Sequence, residues 1–125
     1  MNTQLKNQWI ALEEKYHKLL KEKVNQYNSS SNSPIPQPII TSQLTFCKDG
    51  IVIHKLSEPH LKSGISIIVN NSSIAEVKEL KSMKGENSNG FYHSIDVFHF
   101  DQIDDYNPEQ IVEKDLVHFC KSSVA

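Results

Sequence analysis

Arginine is missing from this chain: all thirteen basic residues are lysine. The guanidinium fork is the preferred group for bidentate phosphate and guanine contacts, so a net charge of -2 without it argues against nucleic acid as a partner. Cysteine is scarce as well. Cys47 and Cys120 stand alone, which is no disulfide framework, and without CxxC or HExxH spacing there is no metal signature. Long hydrophobic runs are also absent; "IVI" and "IIV" fall far short of the ~20 residues that a bilayer-spanning helix needs. The N-terminus lacks the charged and then apolar design of a secretory signal, and no GxGxxG or GxxxxGKS segment offers a phosphate cradle. These absences describe a soluble cytoplasmic chain with no cofactor, no metal and no membrane contact.

What remains is 125 residues, enough for one domain with a single core and one appended element. In residues 4–27 the apolar side chains Leu5, Trp9, Leu12, Tyr16, Leu19, Leu20, Val24 and Tyr27 recur every three or four positions. That spacing predicts an amphipathic helix. Strict heptads would put Trp9, Tyr16 and Lys23 at the inner seam, a poor two-stranded coil, so the helix either docks on its own domain or meets another helix. Residues 28–38, "NSSSNSPIPQP", alternate proline with other residues and read as a flexible tether.

From Ile39 onward the runs shorten. "QLTFC" and "IVIHKL" flank Asp49-Gly50, which predicts a tight hairpin with Phe46 facing Ile53 and Leu44 facing Lys55. "GISIIVN" is apolar at nearly every position, which predicts a strand buried on both sides. Ser73 and Glu76 open a helix carrying Ile74, Val77, Leu80 and Met83 on one side. "ENSNG" is a loop, residues 91–100 a fourth strand, and Asn107-Pro108 the start of a last helix with Ile111, Val112, Leu116, Phe119 and Cys120 inward. The expected fold is therefore α+β: a helical arm (1–27), a Ser/Pro linker (28–38) and a four-stranded mixed sheet with two helices (39–125), in the order α-β-β-β-α-β-α.

The histidines and aspartates crowded into "FYHSIDVFHFDQIDD" are separated by strand alternation. His93, Ile95 and Val97 take one face, Ser94 and Asp96 the other, so no serine–histidine pair forms there. One nucleophile–base pair survives. The expected hairpin puts Cys47 and His54 on a shared face at diagonal positions, where an imidazole could activate a thiolate. A small buried cysteine beside a histidine at the sheet margin is the plainer alternative.

Charge is unevenly spread: from Glu86 to Asp115 eight acids face one lysine, while residues 1–27 carry five lysines and three glutamates. An acidic surface at Asp101, Asp104 and Asp105 could steer a basic partner, or merely solvate a loop. The layout resembles that of coil-plus-small-domain adaptors, and the expected function is a non-catalytic protein-binding module. Its partner, or a second copy of itself, would be held through Trp9, Leu12, Tyr16 and Leu20 and by the three aspartates. A small inhibitor or immunity-type protein blocking a basic enzyme, with Asp96, Asp101, Asp104 and Asp105 in a site meant for phosphates, is the first alternative, and a Cys47–His54 enzyme the second.

Overall fold

A computed structural model describes residues 3–58, 60–85 and 92–123. Its elements run α1 (Thr3–Ser30), β1 (Thr41–Phe46), β2 (Ile51–Leu56), β3 (Gly64–Val69), α2 (Ile74–Gly85), β4 (His93–Phe98), a 3-10 turn (Phe100–Asp105) and α3 (Pro108–Ser123). The order is the α+β order expected. The loop expected over 86–90, together with Phe91, lies outside the described residues.

The strands order as β3-β1-β2-β4. β1 pairs antiparallel with β2 and parallel with β3, and β2 pairs antiparallel with β4. The two edge strands therefore run in the same direction, and α2 is the crossover joining them across the sheet.

One face of the sheet is covered by α1 and α3. Trp9 packs there with Leu44, Phe46, Ile51, Ile53 and Tyr106, its ring 5.3 Å from Phe98 and 6.2 Å from Tyr106. Farther along α1, Tyr16, Leu20 and Val24 meet Ile40 and Val112. Of the two outcomes open to the amphipathic helix, docking is the one found: it is a wall of the core, and Trp9, Tyr16 and Leu20, expected to hold a partner, are buried against their own chain. The physical reason is the width of the apolar stripe: a flank of this size gains most by covering the open face of a sheet in the same molecule.

The Ser/Pro segment is tied down too. Asn28 clasps Ile35, its Nδ2 donating to the Ile35 carbonyl and its Oδ1 accepting from the Ile35 N–H, both at 2.8 Å. Ile35 is buried among Tyr16 and Leu20.

On the other face α2 covers only part of the sheet, through Ile74 and Val77 against Cys47, Val52, Ile95 and Val97. Leu80 and Met83, expected to continue that inward side, are 67% and 61% exposed.

The β1–β2 hairpin differs from expectation by two residues of register: Phe46 faces Ile51 and Leu44 faces Ile53. The Cys47 N–H donates to the Gly50 carbonyl at 2.7 Å, so Lys48 and Asp49 form the tip. Gly50 serves close approach, since a Cβ there would collide with the Phe98 carbonyl oxygen and Ile74 Cδ1. Asp49 is occupied elsewhere, its Oδ1 accepting the Ile74 N–H at the start of α2 at 2.8 Å. A shift of two preserves side-chain faces, which is why the expected sidedness of the sheet still holds.

Because Trp9 is fully buried while its indole N–H finds no acceptor, size and polarity can be separated by mutation. Trp9→Ala is expected to cost about 3–5 kcal/mol in urea unfolding, whereas Trp9→Phe, which also removes the unsatisfied donor, is expected to cost much less.

Candidate functional site

Two features stand out among the described residues: a polar network sealed between the helices and the sheet, and an unpaired strand edge.

The network begins in α1. Its buried positions Trp9, Glu13, Tyr16, Leu20 and Val24 follow helical spacing, which places a carboxylate inside the apolar stripe. Glu13 is fully buried, and so is Lys55, which β2 aims at the same face as Ile51 and Ile53. Glu13 Oε1 accepts from the Ser42 hydroxyl at 2.6 Å and lies 3.5 Å from Lys55 Nζ. Its Oε2 accepts from the Tyr106 hydroxyl. The Lys55 ammonium sits 3.7 Å from the centre of the Tyr16 ring, a desolvated cation–π contact.

A second carboxylate repeats the motif. Asp115, within the apolar side of α3, accepts from the Tyr16 hydroxyl, and Tyr92 donates to it at 2.8–2.9 Å. Burial raises the Tyr16, Tyr92 and Tyr106 hydroxyl pKa values well above the ordinary range, with nearby acidic groups adding to the effect, so these phenols stay as donors. Burial also raises the Asp96 carboxyl on the same face, against the opposing pull of Lys55 and Lys114. His17 shows the converse. Burial lowers its pKa despite Glu13, and its Nε2 lies 2.7 Å from the Ser42 hydroxyl.

Such a network resembles an acid–base site, yet it is closed over by α1 and α3. With Glu13, Ser42 and Lys55 fully buried, its chemistry is structural: hydrogen bonds and one cation hold two carboxylates out of water.

The expected Cys47–His54 pair is parted by the register. His54 stands opposite Gln43 and Ile95, while Cys47 closes the turn with Gly50, about 13 Å away at strand rise. His54 Nε2 instead lies 2.7 Å from His93 Nε2, and its Nδ1 points at Gln43 Oε1, 3.4 Å away. Burial raises the Cys47 thiol, with Asp49 adding to the effect, which makes it a poor nucleophile. Ser94 lies toward Tyr92 and away from His93, as alternation required.

Asp101, Asp104 and Asp105 are exposed on the 3-10 turn. Leu12 is half-buried beside that turn, in a shallow depression also lined by Ile103 and Tyr106. The structure therefore keeps the aspartates available and withdraws Trp9, Tyr16 and Leu20 from any surface.

The open edge is β3. Expected to be buried on both sides, it leaves Ile67, Ile68 and Val69 at 44%, 39% and 70% exposure. Among the described residues β3 lies at the border of the sheet with β1 as its one strand neighbour, and the apolar cluster beneath α2 includes no β3 side chain. Between them runs a groove of about 330 Å³ lined by Thr45, Ile68, Asn70, Val77, Leu80 and Lys81. A strand apolar at nearly every position gave sequence reading no sign of which side would be left bare.

Among the described residues no group of three or more histidine, cysteine, aspartate or glutamate side chains could hold a metal ion, and no helix is long and apolar enough to cross a membrane. Comparison with protein-family models, with curated proteins and with solved structures found no match to this chain.

Lys55→Met leaves the Glu13 carboxylate without its cation and is expected to cost about 3–5 kcal/mol by chemical denaturation. The double variant Glu13→Gln/Lys55→Met is expected to recover part of that loss, because the buried charge goes with its partner.

A pH dependence follows from His17. Its pKa is lowered in the fold, so just below the ordinary value of about 6.5 the unfolded chain binds more protons than the folded one, and stability falls as pH falls. The urea midpoint is expected to drop between pH 7.5 and 5.5, and to drop less in His17→Gln.

Proposed function

We propose that this chain is a non-catalytic protein–protein interaction module, an adaptor or a subunit of a complex, that takes an extended segment of a partner onto its β3 edge. One observation carries the reading: of the exposed large apolar side chains among the described residues, all but Ile39 and Val117 lie on β3 and α2, and β3 contains no charged residue or proline to guard it. Natural edge strands are usually blunted by lysine, proline, bulges or a covering element, so an unguarded apolar edge is the mark of a strand that acquires a neighbour. The exposed aspartates of the 3-10 turn supply a separate charged surface that can orient the encounter.

The inhibitor-type reading rests on those same aspartates without Asp96, which is half-buried on β4 opposite Ile53. Exposed together on one turn, they could enter a basic cleft.

Affinity capture from the source cells with three proteins separates these readings: the native chain, Ile68→Lys/Val69→Lys, and Asp101→Lys/Asp104→Lys/Asp105→Lys. Partners lost from the edge variant while its melting temperature holds support strand addition. Partners lost only from the aspartate variant favour an inhibitor-type protein, and an identical set on all three overturns both.

A further inference from the structure

The backbone of β3 identifies its partner strand more closely than the side chains do. Gly64 N–H donates to the Ile40 carbonyl at 3.1 Å, and Asn70 N–H donates to the Phe46 carbonyl at 2.9 Å. In a parallel ladder a residue sends both its N–H and C=O to the same side and its neighbours send theirs to the other. Positions 64, 66, 68 and 70 therefore bond to β1, and Ile65, Ile67 and Val69 turn their N–H and C=O groups outward.

This outward row is symmetric about Ile67. From it we infer that β3 pairs antiparallel with β3 of a second copy of this chain, with a two-fold axis at Ile67, joining the two four-stranded sheets into one. The inference rests on the strand-addition reading and names its partner.

In that register Ile67 meets the second copy's Ile67, and Ile65 meets the second copy's Val69 in both directions. Each is a pair of outward-facing residues that exchanges both N–H···O bonds, the closed pattern of an antiparallel ladder. All the side chains in those pairs are β-branched and apolar, the kind that stabilise cross-strand contacts, and they lie on the face that carries Leu44 and Phe46. Sliding the register by two residues sacrifices a bonded pair, and sliding it by one sets outward groups against inward ones. The strand is thus self-complementary at one register, as a two-fold interface requires. No lysine, glutamate or aspartate of β3 would face its own image across the axis.

The test joins sedimentation equilibrium on the full chain, over ~5–500 µM, with amide hydrogen exchange at the lowest and highest concentrations. The expected result is a mass rising toward twice 14.3 kDa, with exchange at Ile65, Ile67 and Val69 slowing as it does. Ile67→Pro deletes only an outward-facing N–H, and Ile67→Lys sets two ammonium groups against each other at the axis. Both are expected to stay monomeric, with Ile67→Lys confirming the effect if the proline variant melts early. A dimer indifferent to both substitutions overturns the interface. A monomer whose Ile65, Ile67 and Val69 amides exchange freely overturns the second copy as occupant but leaves the edge open to a foreign strand. A monomer with those amides protected overturns the open edge as well, and the strand-addition reading with it.

Discussion

The architecture turns on one carboxylate. Glu13 is held in the interior by Ser42 of β1, Lys55 of β2 and Tyr106 at the end of the 3-10 turn, so one side chain binds the long helix to two strands and to the approach to α3. Burying a charge without partners costs several kcal/mol, and hydrogen bonds plus a cation offset that cost only in one geometry. Apolar packing alone would let α1 slide or rotate over the sheet. A carboxylate that must reach its hydroxyls and its ammonium fixes the register of the helix, and Asp115 with Tyr16 and Tyr92 does the same for α3.

Much of the fold was legible in the sequence because the repeating patterns are strong: the stripe of α1, the Asn107-Pro108 start of α3 and the alternation that divides Ser94 from His93. The polar centre was not. Glu13 and Asp115 stand within apolar stripes at helical spacing, yet each was passed over because glutamate and aspartate on a helix ordinarily face water. The stripe itself held the clue. Glu13 falls one turn from both Trp9 and Tyr16, and Asp115 falls one turn from both Val112 and Phe119, so neither could reach solvent once the helix docked. Lys55 was placed on the correct face but not in its acidic surroundings, which come from segments distant in the chain.

The surface was misread for a different reason. A strand apolar at nearly every position signals burial on both sides only when neighbours exist to cover it, and β3 lies at the border of the sheet. Conversely, the apolar flank of α1 looked like a surface for others because its partner, the sheet, is assembled from later residues. In both cases local pattern reported how much burial a segment seeks, and topology decided where it was found. The candidate pair Cys47 and His54 failed on the same kind of information, a hairpin register set by the engagements of Asp49 and Gly50 with α2 and β4.

That hairpin tip joins elements far apart in the chain. The Ile74 amide at the head of α2 is capped by Asp49, a residue 25 positions upstream, while Gly50 lies hard against the Phe98 carbonyl and the Ile74 side chain. The helix thus borrows part of its beginning from a turn that must be closed, and the last strand needs that turn to be slim. A change that widened this turn would therefore disturb the start of α2 and the approach of β4 together, although neither is its neighbour in sequence.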